Sequence, residues 1–233
     1  IKYSRYIKGY YLLRPSIYFD VEGFVGKLER LLEEQKYNIL IPINDSSLEI
    51  CNYYKKIIEK HTRIICMPDE NSYKYSHNKY NLISLSGSLG INIPRSILLN
   101  NIDDLEEVII SIKYPVVCKP IYSRVIKDNK MYSNRVLIAR DEIMLVDYVR
   151  ENINIVPIML QEYLFGYGVG FNFLAINGEV LNSYSHRRIE EPLNGGQSSY
   201  RMVIDINSYG LKDMSLLLLK EISYNGVGML EYK

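Results

Sequence analysis

Residues 226–233 read Gly-Val-Gly-Met-Leu-Glu-Tyr-Lys, an extended and mostly apolar run that carries one carboxylate, Glu231. An ionised carboxylate among apolar strand residues is costly unless it meets a cation. Mg²⁺ is the natural candidate, because it commonly takes one or two protein carboxylates and completes its shell with phosphate oxygens. This stretch therefore predicts a strand that borders a metal- and phosphate-binding site.

A second charged residue lies on an apolar strand earlier in the chain. The run Pro115 to Pro120 reads Pro-Val-Val-Cys-Lys-Pro, which predicts a strand carrying Lys119. An ammonium in that setting needs an anion, so we interpret Lys119 as a phosphate ligand, with a solvent-facing strand lysine as the alternative. The polar segment that follows contains Ser123 and Arg124. We expect it to be a mobile loop whose donors close over phosphates.

Gln161, Glu162, Tyr163 and Leu164 end a predicted strand that begins at Ile158. A strand end between two lobes offers free backbone N–H and C=O groups to the edge of a purine. Tyr163 and Leu164 would supply apolar walls for the same ring. A plain strand exit is the alternative interpretation.

Arg187 and Arg188 end another predicted strand, ahead of the loop glycines Gly195-Gly196. Guanidinium groups bind carboxylate or phosphate through two hydrogen bonds, and glycine lets the backbone approach a ligand closely. The pair is therefore a candidate for steadying a transferred phosphate. An ordinary surface ion-pair cluster with Glu190-Glu191 is the alternative.

The first part of the chain alternates predicted helices and strands. A helix over Val21–Lys36 precedes an apolar strand, Ile39–Ile43, and a helix capped by Asp45 or Ser46 precedes the strand Arg63–Cys66. This βαβ order predicts a parallel sheet. Pro68–Ser76 is polar and without periodicity, so it is predicted to be a boundary.

The sequence after this boundary predicts an antiparallel sheet with separate helices. Helices are expected over Lys79–Leu89, from Asp103, after Asp141 and over Leu211–Ile222. Strands Pro115–Pro120 and Arg135–Ala139 would pair across the polar segment. An Asn177-Gly178 turn predicts a tight hairpin.

Composition restricts the function further. The chain has 233 residues and a formal net charge of +1, so no overall field draws it to nucleic acid or to an anionic membrane. The three cysteines lie too far apart in sequence for a zinc or redox motif, which fits buried thiols in a reducing compartment. No apolar stretch has the length of a membrane span, so we expect a cytoplasmic protein.

Taken in order, these segments resemble the ATP-grasp superfamily, in its carboxylate–amine ligase branch similar to the synthetase halves of carbamoyl phosphate synthase. The resemblance covers nearly the whole chain and includes Ser4-Arg5-Tyr6, Asn78-Lys79-Tyr80 and Gly90–Pro94. It implies a mixed α/β and α+β fold. A partial parallel pre-ATP-grasp α/β domain would span residues 1–70, an N-terminal ATP-grasp lobe 71–163 and an incomplete C-terminal lobe 164–233.

The resemblance also implies roles for single residues. Lys79 and Lys119 would contact nucleotide phosphates, Glu162 to Leu164 would hold adenine, and Glu231 matches the first metal-binding acid. Together with the residue patterns, it gives these candidate nucleotide ligands: Lys79, Lys119, Ser123, Arg124, Gln161, Glu162, Tyr163 and Leu164. The segment from Ser185 through Arg187 and Arg188 to Arg201 resembles the substrate side of the family's site.

The sequence departs from the family at two places. Gly168 stands where related enzymes carry an acid for the ribose hydroxyls, and the segment after Lys119 lacks glycines. The chain opens at Ile1 without methionine, and we expect a strand and helix before it. An acid and an asparagine that complete the metal site are expected beyond Lys233, so residues 1–233 alone are expected to be inactive.

The implied activity is ATP-dependent C–N ligation with Mg²⁺ as cofactor. ATP would phosphorylate a small-molecule carboxylate to an acylphosphate, and an amine would then attack it to give an amide, ADP and phosphate. Neither nucleic acid nor membrane is an expected partner, and a homodimer is compatible with the resemblance. A non-catalytic ATP-binding module, a kinase on the same fold and an interaction scaffold remain as alternatives.

Overall fold

The computed structural model describes residues 3–190, 198 and 200–233. The chain divides into two compact units, Ile1–Ile65 with Arg124–Tyr132 and Cys66–Ser123 with Ser133–Lys233. Within the described residues the α-helices are α1 Val21–Gln35, α2 Asp45–Tyr53, α3 Lys55–Ile58, α4 Glu70–His77, α5 Lys79–Ser88, α6 Asp103–Val108, α7 Glu142–Asn152 and α8 Leu211–Glu221. The strands are β1 Ile39–Leu40, β2 Arg63–Ile64, β3 Ser96–Leu99, β4 Val116–Pro120, β5 Arg124–Lys127, β6 Lys130–Ser133, β7 Leu137–Ala139, β8 Ile158–Glu162, β9 Val169–Ile176, β10 Glu179–Glu190, β11 Tyr200–Ile204 and β12 Gly226–Tyr232.

The first unit contains the predicted parallel pair of strands. Asp20 caps α1 by accepting a hydrogen bond from the Gly23 amide, and β1 pairs with β2 in parallel. The parallel pairing is confirmed, but both strands are shorter than predicted. Pro42 has no N–H to donate to a ladder, and Cys66 adopts a φ of 61°, which is incompatible with a strand.

The segment predicted as a mobile polar loop is an ordered hairpin of β5 and β6 in the first unit. Its turn residue Asn129 accepts a hydrogen bond from the Glu22 amide at 2.8 Å and donates one to Asp20 at 3.0 Å. The Asn129 carbonyl also accepts from the Val21 amide. The segment therefore forms two strands where a loop was expected, and its turn satisfies otherwise unpaired amides at the start of α1.

Asn129→Ala is expected to destabilise the first unit by about 1–2 kcal/mol, the usual cost of losing a helix-capping side chain. Thermal or urea unfolding measures the loss. The matched control is Lys130→Ala at the adjacent exposed position. Equal stability of Asn129→Ala and the unsubstituted protein would contradict the anchoring role.

In the second unit, the polar stretch that was predicted to be a boundary, Pro68–Ser76, contains the start of α4. Asp69 caps this helix through the Ser72 amide at 2.8 Å. Ser72 is fully buried, and its hydroxyl donates to the carbonyl of Ile222. The helix therefore contacts its neighbours through a buried hydroxyl as well as through Tyr75, which packs against the apolar cluster of Phe171 and Phe173.

One four-stranded sheet has the order β3-β8-β4-β7, and all of its pairings are antiparallel. The predicted pairing of the two strands that flank the polar segment is confirmed, because Val116 lies opposite Ala139. The sheet packs on α6 and α7 through a buried apolar cluster that includes Leu99, Cys118 and Leu145. This core fixes β4 and β8, the strands that carry Lys119 and Gln161.

The other four-stranded sheet has the order β11-β10-β9-β12. Asn177 and Gly178 have φ angles of 49° and 79°, so the predicted hairpin turn between β9 and β10 is confirmed. Phe171, Phe173 and Ala175 pack with Leu219 of α8 on one face of this sheet. Because side chains alternate along strands, the intervening residues project from the opposite face, which we call the open face.

Among the residues that the structure describes, no helix combines the length and apolar character needed to cross a bilayer.

Candidate functional site

Lys119 projects from β4 towards the neighbouring strand β8. Its ammonium donates a 2.6 Å hydrogen bond to Oε1 of Gln161, and the Gln161 amide donates to the Ser96 hydroxyl at 3.1 Å. Gln161 is only 4% exposed, so this chain of hydrogen bonds fixes the amine in one position. Within the described residues, no carboxylate pairs with Lys119.

The electrostatics around Lys119 disfavour its charged form. Burial lowers the pKa of the Lys119 amine, and the nearby charge of Lys233 lowers it further. A neutral amide such as Gln161 orients an ammonium without neutralising it. The amine is therefore held desolvated beside another cation, a setting that a bound anion would relieve.

Lys79 reaches the end of the same strand from the first turn of α5. Asn78 caps this helix by accepting hydrogen bonds from the amides of Tyr80 and Asn81. The Lys79 ammonium donates to the Pro120 carbonyl at 3.0 Å and to the Ser123 hydroxyl at 2.9 Å. The structure thus brings Lys79 and Ser123 together at the residue that follows Lys119.

Arg124 lies elsewhere. It belongs to the first unit, where its guanidinium donates a 3.0 Å hydrogen bond to the Ser46 hydroxyl of α2. The boundary between the two units thus falls between Ser123 and Arg124 in the chain, although the sequence assigned both residues to one phosphate loop.

The predicted adenine-binding segment leaves β8 beside β3. The Glu162 carboxylate accepts a 2.8 Å hydrogen bond from the Arg95 amide, while the Glu162 amide donates to the Arg95 carbonyl. Beyond this anchor, Tyr163 packs edge-on against Phe165 with ring centroids 5.0 Å apart, and Leu164 is 38% exposed. The segment therefore presents accessible apolar side chains immediately after a fixed strand end.

On the open face, three strands place charged groups side by side. Gly170 of β9 lies between His186 of β10 and Glu231 of β12 in the cross-strand register. Because glycine has no side chain, Arg188 can reach across β9 and form an ion pair with Glu231. The candidate metal ligand and one candidate catalytic arginine are thus direct partners.

Strand alternation separates the two arginines. Arg187 projects from the face opposite Arg188, and its guanidinium carbon lies 4.8 Å above the centre of the Tyr167 ring. Its Nε is buried and has no hydrogen-bond partner among the described residues. Only Arg188 therefore shares a face with Glu231.

His186 also lies on this face, and no role was predicted for it from sequence. It is 4% exposed, and its Nδ1 lies 3.0 Å from the Asn172 amide nitrogen. Burial lowers the pKa of His186, and the charges of Arg201 and Arg188 lower it further. A Cβ at position 170 would lie 2.5 Å from the His186 ring, so Gly170 makes space for this imidazole.

The residues present fit a metal ion only in part. The described residues contain no group of three or more His, Cys, Asp or Glu side chains arranged to hold a metal. Glu231 is exposed on the open face and offers one carboxylate. One carboxylate suits Mg²⁺ that is held mainly by phosphate oxygens, and it does not suit a metal bound by protein ligands alone.

Solved structures show which fold this arrangement of sheets represents. N5-carboxyaminoimidazole ribonucleotide synthetase, purK, in its ADP complex matches 93% of this chain and 53% of its own at 16% identity, with a TM-score of 0.61. The biotin carboxylase domain of Hydrogenobacter thermophilus 2-oxoglutarate carboxylase, with MgADP and bicarbonate, matches 91% and 48% at 15% identity, with a TM-score of 0.65. L-amino acid ligase from Bacillus licheniformis matches 91% and 49% at 16% identity, with a TM-score of 0.60.

The chain has the ATP-grasp fold. It spans about half the length of these three proteins. No protein-family model and no curated protein sequence matches it. At identities this low the likeness concerns the fold, and function has to be argued from the site.

Proposed function

We propose that the protein is an ATP-dependent carboxylate–amine ligase that forms an amide through an acylphosphate. Support comes from the fold, which is shared with ligases that act on small molecules. The fold alone would equally suit other phosphoryl-transfer reactions, so the proposal depends on which groups the chain offers to each part of the reaction.

The observation that carries the proposal is the state of Lys119. Its ammonium is desolvated, held by a neutral amide and placed near a second cation. An ammonium that is desolvated and not neutralised destabilises the free protein, and binding of an anion would offset this cost. A nucleoside triphosphate supplies several anionic oxygens at once, and we assign Lys119 and Lys79 to them.

Adenine is assigned to the segment from Gln161 to Leu164. The exposed side chain of Leu164 and the ring of Tyr163 offer apolar contacts beside the anchored strand end. The purine edge would then meet backbone groups of Tyr163 and Leu164, which follow the last residue of β8, Glu162.

Catalysis in this proposal is mainly positioning and charge stabilisation. Arg188 would stabilise the phosphoryl group as it passes from ATP to the substrate carboxylate, and the amine would then displace phosphate from the acylphosphate. Mg²⁺, when bound, would neutralise phosphate charge, with Glu231 as its protein ligand. Arg187 is assigned to holding Tyr167 through its stacked guanidinium.

The remaining assignments follow the same argument. Small-molecule carboxylate and amine substrates are the proposed partners, without nucleic acid or membrane. A cytoplasmic location is supported by the free thiols of Cys51, Cys66 and Cys118. A homodimer is proposed, and the dimer named for the Hydrogenobacter biotin carboxylase domain supports it.

Release of ADP tests the reaction. The encoded protein, with whatever sequence flanks residues 1–233, is incubated with MgATP and matched panels of carboxylates and amines. We expect ADP only when a carboxylate and an amine are both present. ADP formed with a hydroxyl acceptor and no amine would make the protein a kinase, and ATP binding without turnover would make it a binding module.

ATP binding is expected to take up protons in the alkaline range below the ordinary lysine pKa. The pKa of Lys119 is lowered in the free protein, and adjacent phosphates would raise it again. Binding should therefore weaken as pH rises through the lowered pKa. Calorimetry in buffers with different ionisation enthalpies measures the uptake.

Lys119→Met is the control for this measurement, because it removes the titrating amine. It should lose most of the proton uptake that the unsubstituted protein shows. Uptake of the same size in both proteins would assign the protons to another group.

A further inference from the structure

Strand β11 forms one edge of the β11-β10-β9-β12 sheet, and its side chains are complementary to those of a second, antiparallel copy of the same strand. Among the described residues, β11 pairs with β10 on one side and with no strand on the other. Its side chains are largely in solvent: Val203 is 73% exposed, Tyr200 61% and Met202 45%. An edge strand with exposed apolar side chains presents a row of unpaired backbone groups to another chain.

We propose that β11 pairs antiparallel with β11 of a second copy of this chain, with Val203 opposite Val203 at the two-fold axis. The proposal gives the homodimer a defined surface and does not depend on the ligase activity. With a two-fold axis, a contact of residue i with residue j of the second copy is always matched by a contact of j with i, and antiparallel strands satisfy this condition.

Backbone geometry and charge select this register. Along an edge strand, alternate residues direct both N–H and C=O outwards, so symmetric pairing must centre on a residue and not between two. Centring on Arg201 would place two guanidinium groups opposite each other. Centring on Val203 instead places Arg201 opposite Asp205 of the second copy, and this ion pair occurs twice.

The side chains that would form the ion pairs are accessible. Arg201 and Asp205 are both exposed. Arg201 lies on the same side as Val203 by strand alternation, and Asp205 is the first residue after β11. Asp205 uses Oδ1 for the amide and side chain of Asn207, which leaves Oδ2 for a partner. On the other side of the strand, Met202 would lie opposite Ile204, so the second face gains apolar contacts.

Sedimentation of the full chain over a wide concentration range tests the proposal. One strand pair buries less surface than a stable interface usually does, so we expect a monomer–dimer equilibrium that shifts to dimer at high concentration. Val203→Lys places like charges at the axis and should leave a monomer. Val227→Lys, the same change at an exposed position on the opposite edge strand β12, should leave the dimer intact.

Charge reversal tests the register itself. Arg201→Glu and Asp205→Arg should each weaken dimerisation, and the double variant should restore it because the pair is re-formed with opposite polarity. Circular dichroism of every variant confirms that the monomer is folded. A monomer at all concentrations, a dimer that survives Val203→Lys, or a double variant weaker than both single variants would overturn the proposal.

Discussion

Lys119→Met is expected to lower the affinity for MgATP by about 10- to 100-fold, the effect of one charge-assisted hydrogen bond. The reason lies in the free protein, where the ammonium is already desolvated and oriented by Gln161. Because the ammonium is already positioned in the free protein, its interaction with phosphate should contribute almost fully to the free energy of binding. Calorimetric titration with MgATP measures the change.

The same substitution should change thermal stability little, because it removes a desolvated charge that has no carboxylate partner in the described residues but also leaves the buried Gln161 Oε1 without its donor. Affinity would therefore fall with little change in stability. Lys113→Met, six positions earlier and exposed, is the matched control and should change neither. Unchanged MgATP affinity in Lys119→Met would remove the main support for nucleotide binding at this strand.

The parts of the fold that could be predicted from sequence are those with a strong local signal. Asn177-Gly178 specifies its own hairpin, and the apolar run from Val116 to Cys118 is a buried strand as expected. The failures have physical reasons as well. Helix α4 is anchored in part by Asp69 and Ser72, and the hairpin of β5 and β6 by Asn129, and polar anchors of this kind leave no apolar periodicity in the sequence.

Features of the candidate site that depend on strand pairing could not be predicted from the sequence either. The sequence does not reveal that Lys119 has a polar neighbour on the next strand. Gln161 lies 42 residues away and contacts Lys119 only because β4 pairs with β8. The two adjacent arginines look equivalent in sequence, yet alternation in β10 places Arg188 beside Glu231 and Arg187 beside Tyr167. The strand register places Gly170 where His186 and the Arg188–Glu231 pair need space.

If the proposed ligase function holds, Glu231→Gln is expected to lower kcat about 100-fold or more, because it would remove the carboxylate assigned to Mg²⁺. Turnover measured by ADP release, at saturating MgATP, reports the loss. Glu179→Gln, an exposed glutamate at the start of β10, is the matched control and should retain activity.

The ion pair between Arg188 and Glu231 allows a test of whether Glu231 binds the metal or only stabilises the sheet. If Glu231 binds the metal, Arg188 competes with that metal for the carboxylate, and an exposed pair of this kind is worth up to about 1 kcal/mol. Arg188→Gln should therefore tighten Mn²⁺ binding in the presence of nucleotide by a few-fold while it lowers turnover, because the phosphoryl group loses its cation. Paramagnetic titration with Mn²⁺ measures the first effect and ADP release the second. If Arg188→Gln weakened Mn²⁺ binding as much as Glu231→Gln does, the pair would be a structural unit of the sheet and the metal would have to be held elsewhere.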